Sequence, residues 1–413
     1  MRAILIVGDG LADRPVPQLK NKTPLETARK PSLNRIAETG ICGVMDPIAP
    51  GVPPGSDTAT LALLGYDPMK VYSGRGALEA LGSGVEVLPH DVVFRCNFAT
   101  VDNNLNVVDR RAGRIETSES SKLAEAFEGI VIEGHKDVQI TFKNTIQHRA
   151  ILRLRGRKLS RMVSDSDPQK TGTPILTVNP QDDSSEAMET ADIVNKFTHC
   201  SLKILKTHAV NARRIKKGLP PANIILCRGA GKLPMVTPIS ILYGIRGAAV
   251  CVMPLIRGVC KVAGLSLLDI EGATGAYDTD VIAKAKAAVQ ALKSHDFVFV
   301  HVKATDVASH DGKAEQKIRM IEKIDNMARY ILERVSLDEI LVAITTDHTT
   351  SLVTREHEGD PVPVAITGPG VRTDDVKEFD ERNCARGGLG RIRGKDLMPI
   401  IMNLMGKTKK FGA

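Results

Sequence analysis

The chain has 413 residues, 42% apolar and 25% charged, with a formal net charge of +8, an ordinary soluble globular balance for two or three domains. No apolar run approaches the roughly 18 residues that span a bilayer, and Ala3–Val7 is too short for a signal segment, so a cytoplasmic protein with no membrane partner is expected. The absence of Trp and an aromatic content of 3% argue against a stacking platform for nucleic acid, and seven cysteines without a C-x-x-C pair argue against a disulfide framework or structural zinc.

Ala3–Val7 is the first of four short, nearly continuous apolar runs; Ala248–Met253, Phe297–Val302 and Ile340–Ile344 are the others. Such runs predict parallel strands buried on both faces of an α/β sheet flanked by helices. The middle of the chain is different. Val92–Val101, Val138–Phe142 and His148–Leu154 alternate in polarity, and helical patterns occupy Ser118–Phe127 and Ser185–Lys206. That pattern predicts an α+β module of its own. Boundaries near Pro89 and Val236 follow, giving a discontinuous core domain (1–88 and 237–413) with residues 89–236 inserted as a separate domain. The Gly-rich stretch Arg386–Gly390 lacks a dinucleotide fingerprint and reads as a loop before a C-terminal helix. Lys407–Ala413 reads as a basic tail.

The excess charge lies in the insert, where 23 Lys/Arg face 16 Asp/Glu; the rest of the chain carries 33 against 32. A solvated surface is one reading of this bias. A small phosphorylated and carboxylated substrate is the favoured one, since no nucleic-acid recognition motif is present.

Asp9, Asp306 and Asp347 each follow a predicted parallel strand within a few residues. The carboxyl ends of such strands converge on one crevice, so the three carboxylates can meet. Each alone could be a helix cap or turn residue; three in one topological position point to a cation site. His310, four residues after Asp306, His348, adjacent to Asp347, and His357 add imidazoles to the set. Mixed imidazole and carboxylate ligands suit Mn, Zn or Fe better than Mg alone. Ser56, in Pro-Pro-Gly-Ser-Asp-Thr before the apolar pattern Ala59–Leu64, is either a helix N-cap or a nucleophile at a positive helix end. Together these residues read as a two-metal phosphoryl-transfer site with a serine nucleophile.

The motifs Gly8-Asp9-Gly10, Pro54-Gly55-Ser56-Asp57, Tyr72-Ser73-Gly74-Arg75-Gly76, Phe94-Arg95-Cys96-Asn97-Phe98, Lys303-Ala304-Thr305-Asp306, His310-Asp311-Gly312, Asp347-His348 and His357-Glu358-Gly359-Asp360-Pro361 jointly resemble the archaeal type of cofactor-independent phosphoglycerate mutase, within the alkaline phosphatase superfamily. The resemblance spans almost the whole chain. It implies an alkaline-phosphatase-like core and an isomerase that interconverts 3-phosphoglycerate and 2-phosphoglycerate in glycolysis and gluconeogenesis, with no 2,3-bisphosphoglycerate requirement. It also implies one cation on Asp306, His310 and His357, and another on Asp9, Ser56, Asp347 and His348. Mn2+ is favoured, with Zn2+, Co2+ and Mg2+ as alternatives, and Ser56 would carry the transient phosphoryl group.

In such a reaction the glycerate must stay bound while it reorients, and the basic insert is suited to that task because the arginine fork grips carboxylate and phosphate bidentately. Arg149, Arg228, Arg257 and Lys261 are the candidate substrate-binding residues. Closure of the insert would exclude water. Two positions depart from the family pattern: Arg257 stands where Lys is expected, and Gln169 where His is expected. A metal-dependent phosphomonoester or phosphonate hydrolase is the alternative, with the same core site. A non-catalytic scaffold gives Ser56 no task. The oligomeric state is left open.

Overall fold

Ala3 through Val7 are all buried, with no polar residue interrupting the run. A strand of this kind needs cover on both faces, which a sheet centre supplies. In the computed structural model, which describes residues 1–412, Arg2–Gly8 lies inside an eight-stranded sheet. The strand order is Gly390–Arg393, Gly40–Asp46, Val362–Thr367, Ile340–Thr345, Arg2–Gly8, Phe297–Val302, Gly247–Val250 and Ser266–Leu267.

The sheet is largely parallel, as expected, with one reversal. Val362–Thr367 runs antiparallel to both of its neighbours. The run Ala248–Met253 forms strand only to Val250, because Pro254 opens a helix shortly after. Part of the Gly-rich stretch is also more ordered than a loop: Gly390–Arg393 pairs with Gly40–Asp46 before the helix Gly394–Leu404.

The chain divides into two compact units, residues 1–72 with 235–413 and residues 73–234. Helix Arg75–Gly82, which precedes the boundary expected near Pro89, belongs to the second unit. In the first unit, Ile4, Ile6, Val298, Val300, Val342 and Ile344 form one apolar cluster with Ile321, Ile324, Met327 and Ile331 of helix Ala314–Leu332. Helix Ser56–Leu63 packs against Pro254–Val262 and Gly394–Leu404. No helix among the described residues is long and apolar enough to cross a membrane.

The second unit is built around Val92–Val101, which pairs antiparallel with Val107–Asp109, Arg149–Arg155 and Ile224–Gly231; Gln139–Asn144 extends the sheet beyond Arg149–Arg155. Period-two alternation sends Phe94, Cys96 and Phe98 into an apolar core with Phe127, Phe142 and Phe197. The rings of Phe127 and Phe142 are 4.9 Å apart. Arg95 and Asn97 point to the opposite face. Helix Ser185–Lys206 covers the core, and Ser184 caps it by accepting the Ala187 N–H.

Candidate active site

Three parallel strands end in step. Gly8 pairs with Val302, and Val7 with Thr345, so the residues that follow each strand emerge at one edge. Asp9 comes directly off the first strand. Asp306 lies in the first turn of helix Ala304–His310, and Asp347 and His348 follow the third strand. Gly10 adopts φ +59°, and a Cβ there would collide with Thr350 Oγ1 and the Asp306 side chain. Glycine lets the chain turn this tightly. Its N–H donates to Asp347 Oδ1 at 3.0 Å.

The expected ligands converge in two overlapping groups. Asp9, Asp347 and His348 offer ligand atoms within 4.8 Å of one another, as do Asp306, His348 and His357. His310 joins the second group, with Nε2 3.3 Å from Asp306 Oδ1, the same separation as His357 Nε2 from that oxygen. His348 Nε2 lies 3.4 Å from Asp9 Oδ1 and 3.3 Å from Asp347 Oδ2.

Ring tautomers show what this cluster can hold. His310 Nδ1 meets the Arg355 carbonyl at 2.6 Å, and His357 Nδ1 meets the Pro54 carbonyl at 2.8 Å. A carbonyl only accepts, so both Nδ1 atoms donate and both Nε2 atoms of the neutral rings present lone pairs toward Asp306. Thr350 Oγ1 donates to Asp306 Oδ1, which makes His348 Nδ1 the donor to Thr350 and leaves His348 Nε2 bare as well. Asp9 Oδ2 and Asp347 Oδ2 are buried without a hydrogen bond. Lone pairs facing carboxylate oxygens in a buried site call for cations between them, and imidazole nitrogens held by carbonyls at their far side are the usual metal-ligand arrangement. The donor set therefore fits two divalent ions.

Ser56 is the first residue of helix Ser56–Leu63, with Gly55 as its N-cap. Its hydroxyl is not spent on capping. Oγ lies 3.2 Å from His348 Nε2, and the residue is buried.

Lys303 was not singled out from sequence, and it sits inside the cluster. Its Nζ is 2.9 Å from Asp9 Oδ1 and 2.6 Å from Asp306 Oδ2. Burial opposes its charge, but Asp9, Asp306 and Asp347 together hold the ammonium above its ordinary range. Burial likewise works against ionisation of Asp306, and the adjacent Lys303 ammonium outweighs it, keeping that carboxyl well below the usual range. Asp347 goes the other way, pushed up by burial and by Asp9. Burial drives His348 down to about 3. His301 is a second residue that sequence reasoning passed over. It is fully buried on strand Phe297–Val302, with Nε2 2.9 Å from Asp9 Oδ2 but off the line of a hydrogen bond.

The second unit holds a separate constellation. The antiparallel registers set Arg95 beside Arg228 and Asn97 beside Arg149. These four, with Arg110, Arg111, Arg114, Gln147 and His148, line a cavity of about 200 Å³. Arg95 Nε, Asn97 Oδ1, His148 Nδ1 and Arg228 Nε are buried without hydrogen-bond partners. The two arginine donors left unmatched on this basic wall, Arg95 Nε and Arg228 Nε, suit an anionic ligand. Burial, reinforced by neighbouring arginines, pulls Arg95 down to about 9 despite Glu79. Asp167 orders the array: it accepts from Arg110 at 3.2 and 2.9 Å and lies 3.8 Å from Arg228. Gln169, in the left-handed region at φ +59°, accepts from Arg228 Nη1 at 3.2 Å.

The four candidate substrate residues thus fall two and two. Arg149 and Arg228 share the cavity of the second unit. Arg257 and Lys261 stand one turn apart on helix Pro254–Val262 of the first unit, where Arg257 pairs with Asp269 at 2.9 Å and Lys261 is exposed. No hydrogen bond or ion pair ties either of them to the carboxylate–histidine cluster among the described residues.

Known proteins match this chain along its full length. A relative from Methanosphaera stadtmanae named 2,3-bisphosphoglycerate-independent phosphoglycerate mutase is 51% identical, with all of both chains covered. The chain belongs to the 2,3-bisphosphoglycerate-independent phosphoglycerate mutases. The profile of that family matches residues 37–211. Among solved structures, a protein of Pyrococcus horikoshii superposes with a TM-score of 0.87 at 40% identity, covering 100% of this chain and 99% of the other. The cofactor-independent phosphoglycerate mutase of Thermoplasma acidophilum superposes with a TM-score of 0.72 at 37% identity, covering 98% and 100%. Membership of this mutase family makes the protein an enzyme of the isomerase class.

Proposed function

We propose that the protein interconverts 3-phosphoglycerate and 2-phosphoglycerate through a phosphoserine at Ser56, without 2,3-bisphosphoglycerate. The observation that carries this reading is the position of Ser56 Oγ, 3.2 Å from the bare Nε2 of His348 and at the start of a helix. On this reading Asp306, His310 and His357 hold one divalent cation, and Asp9, Ser56, Asp347 and His348 hold the other, with Mn2+ as the proposed ion. When bound, such a pair neutralises the charge on attacking and leaving oxygens and lowers the serine pKa.

The protein's own groups supply the rest. Ser56 Oγ forms a bond to phosphorus as the bond from phosphorus to the glycerate 3-oxygen breaks; the serine gives up its proton and the glycerate oxygen gains one. The return step reverses this at the glycerate 2-oxygen. The first N–H groups of helix Ser56–Leu63, at its positive end, would donate to the phosphoryl oxygens of a phosphorylated Ser56. Lys303, between Asp9 and Asp306, adds a fixed positive charge at the transfer point. Arg149 and Arg228, with Arg95, hold the glycerate carboxylate or phosphate, and Arg257 and Lys261 are the basic groups assigned to substrate on the first unit. Glycerate retention separates this mutase from a hydrolase.

An enolase-coupled assay tests the proposal: 3-phosphoglycerate and Mn2+-loaded protein, no 2,3-bisphosphoglycerate, with phosphate release followed in parallel. The wild type is expected to form 2-phosphoglycerate with little free phosphate, and Ser56→Ala to form none. Phosphate release without 2-phosphoglycerate would assign a hydrolase, and full activity in Ser56→Ala would overturn the phosphoserine route.

A further inference from the structure

One hydroxyl touches both halves of the carboxylate–histidine cluster. Thr350 Oγ1 donates to Asp306 Oδ1 at 2.9 Å and accepts from His348 Nδ1 at 2.9 Å. A hydroxyl has one proton, so the bond to the carboxylate dictates the bond to the ring. The first contact occupies one lone pair of Asp306 Oδ1 and leaves that oxygen's other directions open on the side where His310 Nε2 and His357 Nε2 each lie 3.3 Å away. The second fixes His348 in the tautomer whose Nε2 faces Ser56, Asp9 and Asp347.

The residue carrying that hydroxyl has little room to move. Thr350 is fully buried, its N–H donates to Ala12 at 3.2 Å, and its carbonyl accepts from Lys317 Nζ at 2.9 Å. Lys317, itself buried, is held in turn by Ala12 O at 3.0 Å and Asp13 Oδ2 at 2.8 Å. Across the short ladder Thr349–Thr350 with His357–Glu358, Thr350 is also the partner of His357. Three of the candidate ligands therefore take their orientation from one side chain and its backbone.

We propose that Thr350 is a positioning residue for both cation-binding halves, setting the geometry of Asp306 in one and the ring of His348 in the other. The proposal rests on the two-cation reading of the site. It gives a reason why the partner hydroxyl stands between the halves: a single rigid group presets both sets of ligands before any cation arrives, lowering the reorganisation that binding requires.

The test is calorimetric titration of metal-free protein with Mn2+, wild type beside Thr350→Val and Thr350→Ser, with circular dichroism as the check on folding. Wild type is expected to bind two ions, and Thr350→Ser to remain close to it. Loss of the hydroxyl in Thr350→Val is expected to weaken both binding steps, each by about 10- to 100-fold. Unchanged binding in Thr350→Val overturns the proposal, as does weakening of one step alone, or a Thr350→Ser variant as weak as the valine. Should the valine variant not fold, Thr350→Ala removes the hydroxyl without added bulk and is judged by the same criteria. A wild type that binds no pair of ions overturns the two-cation reading itself, a result distinct from failure of the threonine assignment.

Discussion

Lys303 Nζ lies 2.6 Å from Asp306 Oδ2, and the same ammonium reaches Asp9 Oδ1 at 2.9 Å. These carboxylates leave different strands of the sheet, and Asp347 adds a third carboxyl group to the same buried edge, one whose ionisation burial and Asp9 oppose until more positive charge is supplied. One lysine cannot balance three carboxylates. The remaining charge is the electrostatic demand that cations would meet.

Lys303→Met should therefore leave the metal-free protein with two unmatched buried carboxylates, a cost of about 3–5 kcal/mol by the usual penalty for breaking a buried pair. Urea unfolding followed by circular dichroism measures it. Added Mn2+ should stabilise the variant more than the wild type. Equal metal-free stability of the two proteins would show that Lys303 does not neutralise the cluster.

Arg228 should matter through its fork as well as its charge. Its Nη1 meets Gln169, its Nε has no hydrogen-bond partner, and it lies beside Arg95 on the cavity wall. Charge-assisted bonds to an anion contribute about 1.5–3 kcal/mol, roughly 10- to 100-fold in rate. Arg228→Ala is expected to lower kcat/KM by that factor and to raise the share of turnover that ends in free phosphate. Arg228→Lys should restore little, because an ammonium cannot bind bidentately. An unchanged kcat/KM in both variants would remove the arginine cavity from substrate handling.

His148 gives the second unit a pH signature. Burial, aided by Arg149, Arg111 and Arg95, pushes its imidazole from 6.5 down to about 4. Between those values the unfolded chain binds a proton that the folded chain refuses. Stability from this group is then fully present above pH 6.5 and is lost as pH falls through that window toward 4. His148→Asn should flatten this part of the curve in urea titrations run at a series of pH values, and an identical slope in the variant would contradict the assignment.

The strands that build the site were legible because burial on both faces leaves an unbroken apolar run: Ala3–Val7, Phe297–Val302 and Ile340–Ile344 each lie within or coincide with the observed strands. Asp9, Asp306 and Asp347 were legible as candidates for a related reason, since polar residues shortly after such runs have a known topological address, whereas His310, His348, His357 and Ser56 were picked out by residue type, by their neighbours in sequence and by the family resemblance. The antiparallel placement of Val362–Thr367 was not, because strand direction depends on pairing partners far away in the chain.

What the sequence by itself determined was the inventory of chemistry and the strand ends that present it, both of which follow from local periodicity. Only the tertiary structure decided how that chemistry is wired. Lys303 between two carboxylates, Thr350 between His348 and Asp306, and Arg95 aligned with Arg228 all depend on register between segments remote in sequence. Hydrogen bonds and ion pairs act over a few ångströms, and spacing along one strand or helix carries no record of which distant group will stand at that distance.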